Sequence, residues 1–248
     1  MFPYPPVRVW VLLCLMIVGA TANLLAIDRL VPQEYATIQE GINAAQTGDI
    51  VLVSPGVYNE LIDFLGKTIT VRSTDGPAVT IIDGGGSGPI VTFQNLEGPG
   101  SVLEGFTITN GVAAEGAGIT ILDAYPTILN NTISGNTATT GPGGGIMMRN
   151  YTPNIDVSLI PQIAGNIISA NIALTSAGGG LYAYSGHDFP QLSGNTWNEN
   201  LATMGSTIFI TSNSNANTGV RFQSENITSG YDPNSITTTN VTPIDIDD

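Results

Sequence analysis

PTILNNTISGNTATTGPGGGI, residues 126–146, is the stretch whose reading decides the fold. It carries three landmarks in order. Pro126 precedes a short apolar strand, Thr127-Ile128-Leu129. Two asparagines five apart follow, Asn131 and Asn136. Then comes Gly143-Gly144-Gly145 and an apolar residue, Ile146. The same order recurs on both sides. Pro161 and Pro190 repeat the first landmark, Asn166/Asn171 and Asn195/Asn200 the second, and Gly116-Ala117-Gly118-Ile119 and Gly178-Gly179-Gly180-Leu181 the third, with a weaker echo at Gly205-Ser206-Thr207-Ile208. Gly105 to Asn110 (GFTITN) has the asparagine spacing with Gly in the first place. The glycine landmark returns at intervals of 27, 35 and 27 residues, and the asparagine landmark at 26, 35 and 29.

A repeat of this length reads as a coil of short strands that climbs by one sheet spacing per turn. A single coil cannot bury its apolar face, so the coils must stack, with parallel strands ~4.8 Å apart. Alternation in Thr107-Ile108-Thr109 and Thr127-Ile128-Leu129 turns one residue in two inward. Inward asparagines at equivalent turns can bond along the stack, and glycine lets the chain take a positive φ at a corner. Both repeats therefore read first as architecture.

Upstream, Tyr35 to Gln46 is the best helix candidate. Ile38, Ile42 and Ala45 share a face, and Thr37 with Glu40 three residues on has capping-box spacing. A helix laid over the first coil would cover an open sheet edge. Short strands follow at 49–53, 68–71, 79–82 and 90–93, each closed by Gly or Pro. Downstream, residues 211–248 lose the repeat and read as an irregular C-terminal cap or tail. The expected organisation is thus a signal peptide at 1–22, a β-helix with its N-terminal cap at 23–210, and that tail.

The signal reading rests on Arg8, the apolar run from Val9 to Gly19, and the small-x-small site Ala20-Thr21-Ala22. The run falls well short of the ~20 apolar residues that span a bilayer, so no stable membrane insertion is expected after cleavage. The expected location is secreted, cell-surface or periplasmic. Cleavage removes Cys14, the one cysteine, so core packing and hydrogen bonds must hold the exported chain together. Sequons stand at Asn130, Asn150, Asn226 and Asn240.

Composition narrows the function classes. In 248 residues, charged side chains make up 10%, apolar ones 42%, and there are 30 glycines. That argues against a coiled coil or an exposed helical bundle, and the apolar content argues against disorder. With 6 Lys and Arg against 20 Asp and Glu, the net charge is −14. Nucleic acid and anionic membranes are poor partners for such a chain.

YATIQEGINAAQTGDIVLVSPGVYNE, GKTITVRSTDGPAVTIIDGGG and SVLEGFTITNG resemble the helix cap and first three coils of the pectin-lyase-like right-handed parallel β-helix superfamily, and the resemblance extends roughly from Tyr35 to Ile210. It implies an all-β, single-stranded right-handed solenoid with an N-terminal amphipathic helix. It leaves chemistry open, since one fold hosts many functions: relatives include polysaccharide lyases, hydrolases and esterases as well as non-enzymatic adhesins and phage proteins. Gly56-Val57-Tyr58-Asn59-Glu60 resembles an element of pectin methylesterases without their Gln and Asp motifs, and reads as structural. The motifs of polygalacturonases are absent, and no basic residue sits in a lyase motif.

Aligning the coils by their glycines brings one variable turn of each to the same edge. It holds Asp123 and Tyr125, then Arg149, Tyr151 and Asp156, then Tyr184, His187, Asp188 and Phe189. Per-repeat variation of this kind maps to binding faces. Tyr125, Arg149, Tyr151, Tyr184 and Phe189 are the substrate-binding candidates, because aromatic faces stack on sugars. Asp123, His187 and Asp188 are the candidates for acid-base chemistry. Ordinary exposed turns would have a similar composition. No cofactor is required; Ca²⁺ is the one that these carboxylates could hold, and no metal-ligand motif appears. The expected partner is polysaccharide. Two functions remain open: a non-catalytic carbohydrate- or surface-binding structural protein, and a lyase or glycoside hydrolase acting on extracellular polysaccharide.

Overall fold

The structure, a computed structural model, describes residues 26–151, 159–185, 189–205 and 207–211 in full, and the backbone of 221–223, 236–239 and 245–247. The expected signal peptide lies outside the described residues.

Short parallel strands stack into sheets, as in a β-helix. One nine-stranded sheet contains β1 (Asp28–Val31), β2 (Ile50–Val53), β5 (Thr70–Ser73), β8 (Val102–Glu104), β12 (Thr127–Leu129), β16 (Gln162–Ala164) and β20 (Gln191–Ser193), each hydrogen-bonded to the next. A six-stranded sheet runs through β3 (Gly56–Asn59), β6 (Thr80–Asp83), β9 (Thr107–Thr109), β13 (Thr132–Ser134), β17 (Ile167–Ser169) and β21 (Thr196–Asn198). A seven-stranded sheet includes β4 (Ile62–Asp63), β7 (Val91–Phe93), β11 (Ile119–Leu122), β15 (Ile146–Asn150), β19 (Leu181–Ser185) and β23 (Ile208–Thr211). From the third coil a further four-stranded sheet is inserted: β10 (Val112–Ala113), β14 (Thr137–Ala138), β18 (Ile172–Ala177) and β22 (Leu201–Met204). Past Thr211, where the sequence shows no repeat, the backbone of β24 (Arg221–Gln223), β25 (Ile236–Thr239) and β26 (Asp245–Asp247) adds strands to the first and third of these sheets.

Strand register makes columns of like side chains. Val51, Val71, Leu103, Ile128, Ile163 and Leu192 stand in line on the first sheet, all buried. Ile82, Ile108, Ile133, Ile168 and Trp197 do so on the second. On the third, Ile62, Val91, Ile119, Ile146, Leu181 and Ile208 line up likewise. Full burial of each aliphatic side chain stabilises by ~1.5–3 kcal/mol, and Phe64, Phe93 and Phe106 join these columns in one buried core cluster.

The asparagines form two buried ladders, each following a left-handed residue. The positive-φ column Gly105, Asn130, Gly165, Gly194 precedes Phe106, Asn131, Asn166 and Asn195. The column Asn110, Gly135, Ala170, Glu199 precedes Gly111, Asn136, Asn171 and Asn200. This corrects the alignment of GFTITN. Thr107 pairs with Thr132, so Phe106 and Gly111, not Gly105 and Asn110, occupy the asparagine places in that coil. The ladders begin one coil later. There Asn131 and Asn136 accept the N–H groups of Phe106 and Gly111 at 2.9 Å each.

The glycine landmark divides into two jobs. Its first residue takes a positive φ at Gly116, Gly143, Gly178 and Gly205 (60°, 74°, 66° and 52°), as expected for a corner. Its third residue, at Gly118, Gly145 and Gly180, is needed for close approach. A Cβ there would lie 2.4, 2.6 and 2.6 Å from the carbonyl oxygens of Gly145, Gly180 and Thr207 in the next coil.

The helix α1 (Ile38–Ala44) is shorter than the stretch with helical spacing. Thr37 caps it, its Oγ1 accepting from the Glu40 N–H at 3.1 Å. Ile38, Gly41 and Ile42 are buried, and the helix packs on β1, β2 and β4. Both ends are held by charges from the first coils. The Glu60 carboxylate accepts the Ile38 and Gln39 N–H groups at 2.9 Å each. The Lys67 ammonium donates to the carbonyls of Ile42, Asn43 and Ala45 at 2.7, 2.8 and 2.9 Å. Each charge sits at the end of the helix dipole that it complements. The Tyr58 hydroxyl donates to the Ser54 carbonyl at 2.8 Å. Glu60 and Tyr58 of the Gly56–Glu60 element therefore have structural work in this chain.

A buried charge anchors the first strand. Asp49, 2% exposed, pairs with Arg29 at 2.8 Å and accepts the N–H groups of Ile27 and Gln46 at 3.0 Å each. Burial opposes its ionisation, but the Gln46 and Ile27 N–H groups and the guanidinium outweigh it and hold the carboxyl below its ordinary value. A depressed carboxyl stabilises the fold above its unfolded pKa, and that stabilisation is lost as pH falls through the folded pKa. We therefore expect the melting midpoint to drop as pH falls below about 4. The drop should be smaller in Asp49→Asn, which cannot titrate. Parallel acid profiles for the two proteins would refute this assignment.

Candidate functional site

The seven-stranded sheet carries the site on the side facing away from the core. Along β11, β15, β19 and β23, Leu122, Arg149, Tyr184 and Thr211 stand in one register row, and Thr120, Met147, Tyr182 and Phe209 in another. Alternation in β19 (Leu-Tyr-Ala-Tyr-Ser) buries Leu181, Ala183 and Ser185 and turns Tyr182 and Tyr184 outward, both half-buried.

Arg149 is the centre of the group. Its Nη1 donates to Glu115 Oε1 at 2.6 Å, and its guanidinium carbon lies 5.9 Å from the Tyr182 ring centroid, within cation–π range. Tyr182 stacks on Phe209 with centroids 5.7 Å apart and planes 5° from parallel. Burial works against the Arg149 charge, but Glu115 outweighs it and raises the pKa. Burial raises the Tyr182 pKa also, and Arg149 opposes that rise. Both side chains thus keep their ordinary states at neutral pH, an arginine cation and a neutral phenol.

Beside this group, Tyr151 and Tyr184 approach with centroids 5.5 Å apart at an interplanar angle of 51°. Tyr151 is 60% exposed. Its backbone is set by Asp123, a positive-φ residue (45°) that ends β11. The Asp123 N–H donates to the Arg149 carbonyl at 2.9 Å, and its Oδ1 accepts the Tyr151 N–H at 2.7 Å. A carboxylate here joins two adjacent coils and fixes where the exposed ring begins.

The structure brings together Asp123, Arg149, Tyr151 and Tyr184. It places Tyr125 and Phe189 in the interior, 6% and 8% exposed, with Phe189 inside the main core cluster. Pro126 and Pro190 follow these two rings in the chain, and both rings are shielded from solvent. Asp156, His187 and Asp188 lie outside the described residues. Three participants escaped the sequence reading: Glu115, Tyr182 and Phe209. Tyr182 was within reach, because period two in Leu181–Ser185 puts it on the face of Tyr184. Glu115 stands immediately before the glycine corner at Gly116, one coil below Arg149, and only the stacking joins the two.

Among the described residues, no group of three or more His, Cys, Asp or Glu side chains could hold a metal ion. Asp83 serves its own turn, with Oδ1 accepting the Gly85 N–H at 2.8 Å. No helix among the described residues is long and apolar enough to cross a membrane. Of the two described sequons, Asn130 is exposed, whereas Asn150 is 2% exposed with no room for a glycan.

No family model, curated protein or solved structure matches this chain. The stacked parallel sheets and the flank built on them are what bear on function.

Proposed function

We propose that this chain is an exported protein with a right-handed parallel β-helix of the pectin-lyase-like type, which binds carbohydrate without cleaving it. The helix α1 covers the first coil of the stack. The binding surface is the flank of Arg149, Tyr151, Tyr182 and Tyr184. The observation that carries this reading is the exposed Tyr151 ring tilted against Tyr184, beside an arginine already held by Glu115 and Tyr182. Aromatic faces offer apolar area with a polar edge and lose little conformational entropy when a ligand covers them. The ion pair beside them offers a donor and an acceptor to sugar hydroxyls. The rigid coils beneath keep these groups in place.

Titration of the full chain with a panel of oligosaccharides, followed by calorimetry and ligand-observed NMR, tests the reading. Binding is expected, and Tyr151→Ala or Tyr184→Ala should each weaken it by about tenfold, the loss that ~1.4 kcal/mol produces. The melting midpoint of Tyr151→Ala should stay near that of the unaltered chain, because the ring is exposed. Binding that survives the double variant would place the surface elsewhere. Release of reducing ends or unsaturated products from the same panel would replace binding by cleavage.

A further inference from the structure

We infer that the ligand of this flank is a neutral glycan, and that Glu115 is the residue that excludes glycans carrying carboxylates. The inference rests on the carbohydrate-binding reading above and specifies the class of ligand.

The argument is an account of charge. A uronate needs a cation free to meet it, in the manner of a bidentate arginine–carboxylate pair. Off the flank, two described cations are engaged by other groups and a third lies on another sheet. Arg29 is paired with Asp49 at 2.8 Å. Lys67 is spent on three helix carbonyls. Arg72 lies on the nine-stranded sheet, in register with Glu104. Among the described residues of the candidate flank the cation is Arg149, and Glu115 neutralises it at 2.6 Å. Asp123 adds a second carboxylate beside Tyr151. Among the described residues the flank is therefore net negative, on a chain whose formal charge is −14. A ligand carboxylate would be repelled by both acids and would meet a guanidinium whose charge Glu115 already offsets. An uncharged sugar meets no such cost. Its apolar face can lie on Tyr151 and Tyr184 while its hydroxyls meet the ion pair. Glu115 thus supplies discrimination by repulsion, while the aromatic rings supply attraction.

The test compares neutral hexasaccharides of glucose, xylose and mannose with hexagalacturonate, at low ionic strength, on the unaltered chain and on Glu115→Gln. The glutamine keeps the shape and the hydrogen-bonding oxygen and removes the charge. Its side chain is 37% exposed, so the fold should survive, which a melting curve verifies. The expected result is binding of at least one neutral hexasaccharide and none of hexagalacturonate by the unaltered chain. Glu115→Gln should then gain hexagalacturonate binding by about tenfold or more, and that gain should fade as salt rises from 0.01 to about 0.15 M. Hexagalacturonate binding by the unaltered chain, abolished by Tyr151→Ala, would overturn the neutral assignment and leave the carbohydrate-binding reading in place. Failure of every hexasaccharide to bind would overturn both.

Discussion

Replacing Asn166 by Ala is expected to lower the stability of the chain by about 3–5 kcal/mol, from the number of buried groups left without partners. Asn166 is fully buried and sits in the middle of its ladder. Its Oδ1 accepts the backbone N–H of Asn131 at 2.9 Å and the Asn131 side-chain amide at 3.2 Å. Its Nδ2 donates to the carbonyls of Ile128 at 3.0 Å and Ala164 at 3.1 Å and to Asn195 Oδ1 at 3.0 Å. Alanine removes all five bonds, in a turn that water does not reach. Asn166→Asp should be worse at neutral pH, because a carboxylate cannot donate to the Ile128 carbonyl or to Asn195 Oδ1, and a buried unpaired charge is costly. Burial raises the pKa of the introduced carboxyl. Such a group favours the fold below its unfolded pKa and disfavours it as pH rises through the folded one. The deficit of Asn166→Asp should therefore shrink in acid, opposite in sign to the effect of Asp49. Asn198→Ala, at an exposed position one strand end away, should change stability by less than about 0.5 kcal/mol. Urea unfolding of the four proteins at two pH values decides the matter. An equal loss in Asn166→Ala and Asn198→Ala would mean that the ladder contributes nothing beyond its exposed neighbours.

Gly145→Ala is expected to destabilise by about 3 kcal/mol or more, because the added methyl meets backbone that cannot move aside. Its Cβ would stand 2.6 Å from the Gly180 carbonyl oxygen and 3.0 Å from Asn171 Nδ2. That carbonyl is itself engaged, accepting the Ile146 N–H at 2.8 Å. Relief would require prying two coils apart at a point where strand pairing and the second asparagine ladder meet. Gly85→Ala is the comparison that separates crowding from backbone strain. Gly85 has a φ of 59° and nothing within 4 Å of its Cβ position, so its cost should be only the ~1–2 kcal/mol of placing a side chain in the left-handed region. If the two variants lose the same stability, close approach is not what keeps glycine at residue 145. Because stacked coils couple mainly to their neighbours, the Gly145 lesion should open the coils on either side first. Hydrogen exchange would show loss of protection concentrated in β15 and β19.

The repeat itself was legible in the residues. Period two in the short strands, the proline before Thr127, Gln162 and Gln191, and the recurring asparagines specify coils that must stack, and the aliphatic columns follow from that requirement. The roles of Thr37 at the start of α1 and of the first glycine in each landmark were also legible, since both act through the local backbone. The offset of GFTITN was not. Gly105 and Asn110 keep the spacing, but register is set by strand pairing between coils, and a one-residue shift is invisible within a single coil. The flank was partly legible. Arg149, Tyr151 and Tyr184 share an edge because the repeat puts them there. Tyr125 and Phe189 came from the same turns and went inside, because a ring beside a corner proline has an interior to fill. Glu115 meeting Arg149, Glu60 and Lys67 holding the two ends of α1, and Asp49 taking Arg29 all join residues 20 or more positions apart. The sequence by itself determined the stacking, because hydrophobic periodicity and turn chemistry are local and repeat in every coil. Only the tertiary structure decided the charge partners and which rings face water, because those depend on what the neighbouring coil places ~4.8 Å away.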